Sequence, residues 1–212
     1  MKIVSTAISH LNYNTSINDV TWHLDALEKQ KLQFAPWKTY PYHPQVGVAI
    51  SYNVGCIFLK FYVDESAIKA ANGSTNAAVY EDSCVEFFIS FDASNYYNIE
   101  FNCIGACTIG YGKEKANRKL LPNEVIEQIR YQAVINNSNK SSGTVHWDLT
   151  LVIPSTVFIY DTLTTFKGNE CTANFYKCGD LLPNPHYITW ADIHSTEPNF
   201  HLPEFFGKLH FV

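Results

Sequence analysis

Apolar and polar residues alternate along most of the chain, and that alternation predicts strands. The segments "VGVAISYN" (46–53) and "CIFLKFYVDE" (56–65) flank Asn53-Val54-Gly55 and predict a hairpin. "SCVEFFISF", "YYNIEFNCI", "IRYQAVI" and "HWDLTLVI" follow with the same period of two and the same enrichment in Val, Ile, Phe and Tyr. "ANFYKC", "HYITWADI" and "GKLHFV" complete the set, with Pro154 ending one strand and Pro183 and Pro185 punctuating a later loop. Helical periodicity is confined to "NDVTWHLDALEKQKL" (18–32), where Asn18 or Asp19 is placed to cap, and the short "NEVIEQI" (123–129). Many short strands separated by turns predict an all-β, single-domain antiparallel β-sandwich over residues 1–212, of immunoglobulin-like or jelly-roll type, with one or two short helices.

The strands at 83–91 and 96–104 define two faces. Val85, Phe87, Ile89 and Phe91 share one face of the first, and Tyr97, Ile99, Phe101 and Cys103 share one face of the second. Both sets meet one core if Val85 opposes Cys103, Phe87 opposes Phe101 and Ile89 opposes Ile99, with "DASNY" as the loop; a one-residue slip exposes a whole set. On the other face this register sets Glu86 opposite Asn102, Phe88 opposite Glu100 and Ser90 opposite Asn98. Glu86, Glu100 and Asn102 then form a compact acid–amide cluster, with cross-strand neighbours about 5 Å apart and diagonal ones about 7–8 Å. A solvated outer face is the ordinary fate of such residues, but neither strand carries the Lys or Arg expected there.

Composition narrows what the cluster serves. At 46% hydrophobic and 17% charged, the 212 residues suffice for a substantial core. A formal charge of −5 without a basic cluster argues against nucleic acid and anionic membranes, and no apolar run has the length of a membrane span. The first 16 residues make a poor signal peptide, so a cytoplasmic location is expected, or a periplasmic or secreted one if a leader is missing. The six cysteines contain no C-x-x-C and match no zinc spacing, so free thiols are expected and no metal site is assigned.

Carboxylates and amides suit sugars, since they make bidentate hydrogen bonds to adjacent hydroxyls. The C–H face of a pyranose stacks on an aromatic ring, and Tyr80 lies just before the cluster. Arg118, in "GKEKANRKLL", is placed to neutralise a carboxylate and donate to a hydroxyl.

The run Tyr80-Glu81-Asp82-Ser83-Cys84-Val85-Glu86 resembles the signature of family 9 carbohydrate-binding modules, an aromatic residue shortly before D-S-x-V-E. "YYNIEFNCIG", "ANFYKCGD", "PHYITW" and "PNFHLPEFFGKLHF" are similar to later parts of family-9-like proteins, so the resemblance runs from about Trp37 to the end. It implies a β-sandwich holding a sugar between two aromatic rings, with no catalytic residue and no cofactor. Carried onto this chain it makes Tyr80 the first ring and Glu86, Glu100 and Asn102 the hydrogen-bonding face, with Asn174 a late-strand amide and the second ring near Tyr176 or Lys177. Tyr80 stands where studied members use Trp, and Glu100 where a basic residue is commoner. The expected partner is a mono- or oligosaccharide, bound by a monomer or weak dimer.

Two other readings fit the residues. Glu86 with Glu100 matches the paired carboxylates of a glycoside hydrolase, about 5–9.5 Å apart, but nothing marks a deep cleft. A protein-interaction module would use the same aromatics at an interface. "NGS" and "GYG" read as turns, His186, His194, His201 and His210 as neutral loop histidines, Trp22, Trp147 and Trp190 as core, and Trp37 as a cover over the sandwich edge.

Overall fold

The computed structural model describes residues 1–136 and 143–212. Its strands are β1 (Lys2–Ser5), β2 (Gln30–Lys31), β3 (Gln45–Tyr52), β4 (Cys56–Glu65), β5 (Cys84–Ser90), β6 (Tyr96–Asn102) and β7 (Cys107–Gly112). After these come β8 (Lys119–Leu120), β9 (Arg130–Asn136), β10 (Val145–Pro154), β11 (Glu170–Cys178), β12 (Tyr187–Thr189) and β13 (Gly207–Phe211). Two sheets face each other. One runs β1-β13-β11-β5-β6-β7-β8, with β12 also on β11, and the other runs β2-β3-β4-β10-β9. All pairs are antiparallel except β1 with β13.

Alternation places the main core between the sheets. Val85, Phe87, Ile89, Ile99, Phe101 and Phe175 from the first meet Ile57, Leu59, Phe61, Trp147, Leu149 and Leu151 from the second. The predicted hairpin forms as β3–β4, with Asn53 Oδ1 accepting from Gly55 N (2.9 Å) and Cys56 N (2.7 Å) to close the turn.

Both sheets are also covered outside. Helix α1 (Ile17–Asp25) lays Val20 and Leu24 over Ala49, Phe58 and Val152. Ser16 caps it, accepting from Asp19 N and donating to Asp19 Oδ2, so the cap lies ahead of both predicted residues. The helix stops at Asp25, seven residues short of the predicted end, because Gln30 and Lys31 pair with β3 instead. Trp22, expected in the core, is 68% exposed, since a nine-residue helix buries a single i, i+4 stripe. Trp147 and Trp190 are core, and Trp37 covers the sandwich edge, its indole donating to Ser195 O (3.1 Å). "NEVIEQI" keeps one helical turn, α2 (Asn123–Ile126). "GYG" is not a turn but the end of β7.

On the first sheet the outer layer decides the chemistry. Trp37, Ile193 and Phe200 pack on Cys84, Phe88, Tyr96, Tyr176 and Cys178, a second apolar cluster outside the sandwich core. The outer residues of β5 and β6 are therefore buried too, although the antiparallel pattern predicts solvent there.

Candidate functional site

The pairing of β5 and β6 differs from the predicted register by two residues. Val85 faces Phe101, Glu86 faces Glu100, Phe87 faces Ile99 and Phe88 faces Asn98. Parity survives, so the two faces are as expected, but the two glutamates become direct neighbours. Across four strands, one outer row reads Tyr176, Glu86, Glu100, Thr108, and the next reads Asn174, Phe88, Asn98, Gly110.

A cavity of about 330 Å³ opens over the β6–β7 half of these rows. Its floor is Glu86, Asn98, Glu100, Thr108 and Gly110. Tyr80, 44% exposed on a short turn at Val79–Glu81, stands on its rim. Lys115 and Arg118 come from the β7–β8 connection, Asp180 and Tyr187 from after β11, and Phe200 and His201 from the covering loop.

A relay of hydrogen bonds runs along the floor. Arg118 Nε donates to Asn98 Oδ1 (2.6 Å), and Asn98 Nδ2 donates to Glu100 Oε1 (2.7 Å). The other guanidinium N–H groups go to Tyr96 O (2.7 Å), Glu114 O (3.0 Å), Gly110 O and Gly112 O (both 3.4 Å), with the plane 4.1 Å over the Tyr96 ring. All five donors thus have acceptors within the chain, so Arg118 orients Asn98 and does not present a free fork to a ligand. Gly110 makes room for the relay, since a Cβ there would lie 2.8 Å from Asn98 Oδ1. His201 Nδ1 lies 2.9 Å from the Tyr96 hydroxyl. Burial, then Arg118 and Lys115, pulls its imidazole down to about 3, so the ring is neutral.

Two acids this close in a covered sheet do not both ionise at neutral pH. Burial drives Glu86 well above the carboxylate range, with Cys178 and Glu100 adding to the effect. Burial likewise pushes Glu100 up to about 7, against the opposing pull of Asn98 and Arg118. The folded chain therefore holds the Glu100 proton at pH values where the unfolded carboxyl, titrating near 4.5, has lost it. This contribution to stability is complete below about pH 4.5 and is lost as the pH rises to about 7. The neutral imidazoles of His186 and His201 contribute with the opposite sign below about pH 6.5, so the carboxyl is read by difference: the stability of the wild type relative to Glu100→Gln, from denaturant melts, is expected to fall between about pH 5 and about pH 8.

The remaining predicted residues do not line the cavity. Asn102 braces a loop, donating to Asn72 O (2.7 Å) and Asp82 Oδ2 (3.0 Å) and accepting from Ala106 N (3.0 Å). Burial alone would raise Asp82, but hydrogen bonds from Asn72, Ala71, Asn102 and Lys69 outweigh it and hold that carboxyl low. The acid of D-S-x-V-E is thus a loop clamp here. Asn174 pins the covering segment through Ala191, accepting from its N–H (2.9 Å) and donating to its carbonyl (3.1 Å). Tyr176 is fully buried under Phe200, ring on ring at 4.2 Å. Lys177 lies on the opposite face of β11, paired in the interior with Glu65 (2.9 Å). Three residues along a strand reverse the face, so Lys177 cannot share a surface with Asn174. Tyr187 and Phe200 are the aromatic groups that join Tyr80 at the cavity. Tyr187 was hidden in the alternation of "HYITW", and Thr108 and Gly110 in a strand read partly as a turn.

A β-sandwich with a covered polar cavity beside an exposed ring has the build of a small-ligand-binding module. The chain belongs to carbohydrate-binding family 9, which it matches over residues 17–211. It is similar to a candidate carbohydrate-binding protein of Bacteroides uniformis ATCC 8492, at 32% identity and TM-score 0.91, with 100% of this chain and 99% of that one covered. Family 9 modules of Caldicellulosiruptor kristjanssonii, solved with glucose and with cellotriose, share the fold at 10% identity. Their TM-scores are 0.64 and 0.63, covering 100% of this chain and 96% and 93% of theirs. No curated protein matches.

Proposed function

We propose that the chain is a non-catalytic saccharide-binding module that takes a monosaccharide, or the end of a short oligosaccharide, into the cavity above β5, β6 and β7. The observation that carries this reading is the Arg118–Asn98–Glu100 relay beside the exposed Tyr80 ring. It sets oriented amide and carboxyl groups next to a stacking surface, and that combination suits a ring with an apolar face and a rim of hydroxyls. The cavity lies at the small end of the roughly 300–1,000 Å³ range of ligand sites, which favours a short ligand over a long chain. Glu86 is 3% exposed and bonded to a thiol, which suits a buried floor better than an attacking carboxylate.

Isothermal titration with glucose, cellotriose and a panel of other mono- and disaccharides tests the reading. One sugar class is expected to give a saturable isotherm, with a dissociation constant on the order of 0.01–1 mM. Tyr80→Ala is expected to weaken it about tenfold. Silence across the panel at millimolar concentrations would refute saccharide binding, and a sustained heat flow after an injection, with cleaved sugar formed, would refute the non-catalytic assignment.

A further inference from the structure

Glu86 is left poorly served by everything around it. Among the described residues its hydrogen-bond partner is the Cys178 thiol, with Sγ 3.1 Å from Oε1. A thiol is a weak donor, and an acid this deep ordinarily has better company. Beside it, Cys84 and Cys178 stand directly opposite each other across β5 and β11, on the same outer face as Glu86. Both cysteines are free and buried. The two sulfurs and a Glu86 oxygen lie within 4.8 Å of one another.

We propose that Cys84, Cys178 and Glu86 form a binding site for a thiophilic divalent cation of the zinc group, beneath the floor of the cavity. The proposal stands whether or not the cavity takes a sugar. Tetrahedral zinc, with Zn–S about 2.3 Å and Zn–O about 2.0–2.2 Å, holds its ligand atoms roughly 3.5–3.8 Å apart. Side-chain rotations that draw in these atoms, now within 4.8 Å of one another, would give that spacing. Two thiolates with one carboxylate favour zinc or cadmium over calcium and magnesium, which prefer larger sets of oxygen ligands. Binding releases the protons of both thiols, and that of Glu86, to solvent. The three anionic ligands then exceed the ion's charge by one; burial pushes both thiols up, Cys84 to about 12, and the Lys177 ammonium, itself paired with Glu65, offsets only part of that, so the cation must displace both thiol protons. Glu86 and Cys178 line the cavity, which provides the entry path and leaves a fourth coordination position for water. The ligands sit on two central strands, and packed strands hold such a site firmly. No cysteine motif announces it because strand pairing brings the residues together.

Titration of the reduced, chelator-treated protein with cadmium tests the site through the thiolate-to-cadmium charge-transfer band in the ultraviolet. The band is expected to saturate at one equivalent and to be displaced by zinc. It should disappear in Cys84→Ser and Cys178→Ser and persist in Cys103→Ser, whose sulfur lies in the sandwich core. X-ray absorption of the zinc-loaded wild-type protein needs no variant, and two sulfur ligands at about 2.3 Å are expected. A missing band, a band retained in Cys178→Ser, or a zinc shell without sulfur would overturn the proposal.

Discussion

Replacing Lys177 with methionine is expected to lower folding stability by about 3–5 kcal/mol, read as a fall in the urea midpoint with little change in slope. Lys177 is fully buried, with Nζ 2.9 Å from Glu65 Oε2, 2.8 Å from Cys178 O and 2.8 Å from His186 Nε2. Glu65 is just as deep, and its other oxygen accepts from the Trp147 indole (2.6 Å). Burial, with help from Lys177, pulls His186 down to about 3, so that ring is neutral and its Nε2 accepts a hydrogen bond from the ammonium. Methionine keeps most of the volume of the lysine stem, and the loss therefore reports stranded buried acceptors, the Glu65 carboxylate above all with Cys178 O and His186 Nε2, and not a void. Adding Glu65→Gln should recover much of it, because a neutral amide tolerates burial better than an unpaired charge. An additive double mutant would show that the pair is not coupled.

Arg118→Ala is expected to weaken saccharide binding by about 100-fold, roughly 3 kcal/mol, while the protein stays folded. The guanidinium lies on the outer face of β6 and β7 and not in the sandwich core, but among the described residues it is the hydrogen-bond donor to Asn98 Oδ1 and so fixes which way the amide donates. Lysine does not restore the function, because an ammonium cannot serve the Asn98 oxygen and four carbonyls in a planar fork. Calorimetry on Arg118→Ala and Arg118→Lys checks this; wild-type affinity in either would remove Arg118 from the account.

Much of this architecture was legible in the alternation. Val85, Phe87 and Ile89 face the core as the pattern demands, and the hairpin at Asn53 forms where its turn residues stand. The two-residue error in register has a definite cause: parity excludes odd slips and is blind to even ones. The turn after β5 decides between them. Ser90 Oγ donates to Asn95 O (2.6 Å), Asp92 Oδ1 accepts from Ser94 N and Asn95 N, and Ala93 takes a φ of 60°. Those contacts start the turn at Phe91, one residue earlier than "DASNY" suggests.

The site was half legible. Tyr80, Glu86, Glu100 and Arg118 do line one cavity, whereas Asn102, Asn174, Tyr176 and Lys177 became braces, cover and interior. The cover explains most of the difference. It comes from Trp37 and Phe200, far from β5 and β6 in sequence, and no local pattern marks where they land. Phe88, an apolar residue in the middle of the acidic face, was the one sign in the strand itself that this face would be roofed.

An amide-resolved NMR titration of the full chain, with the saccharide that calorimetry selects, tests whether this cavity is where the sugar binds. Saturable shifts are expected at Tyr80, Asn98, Glu100, Thr108 and Gly110, around the cavity and on the strands beneath it, with the face under α1 unchanged. Shifts confined to that other face, or absent at saturating saccharide, would contradict the assignment of this cavity as the binding site.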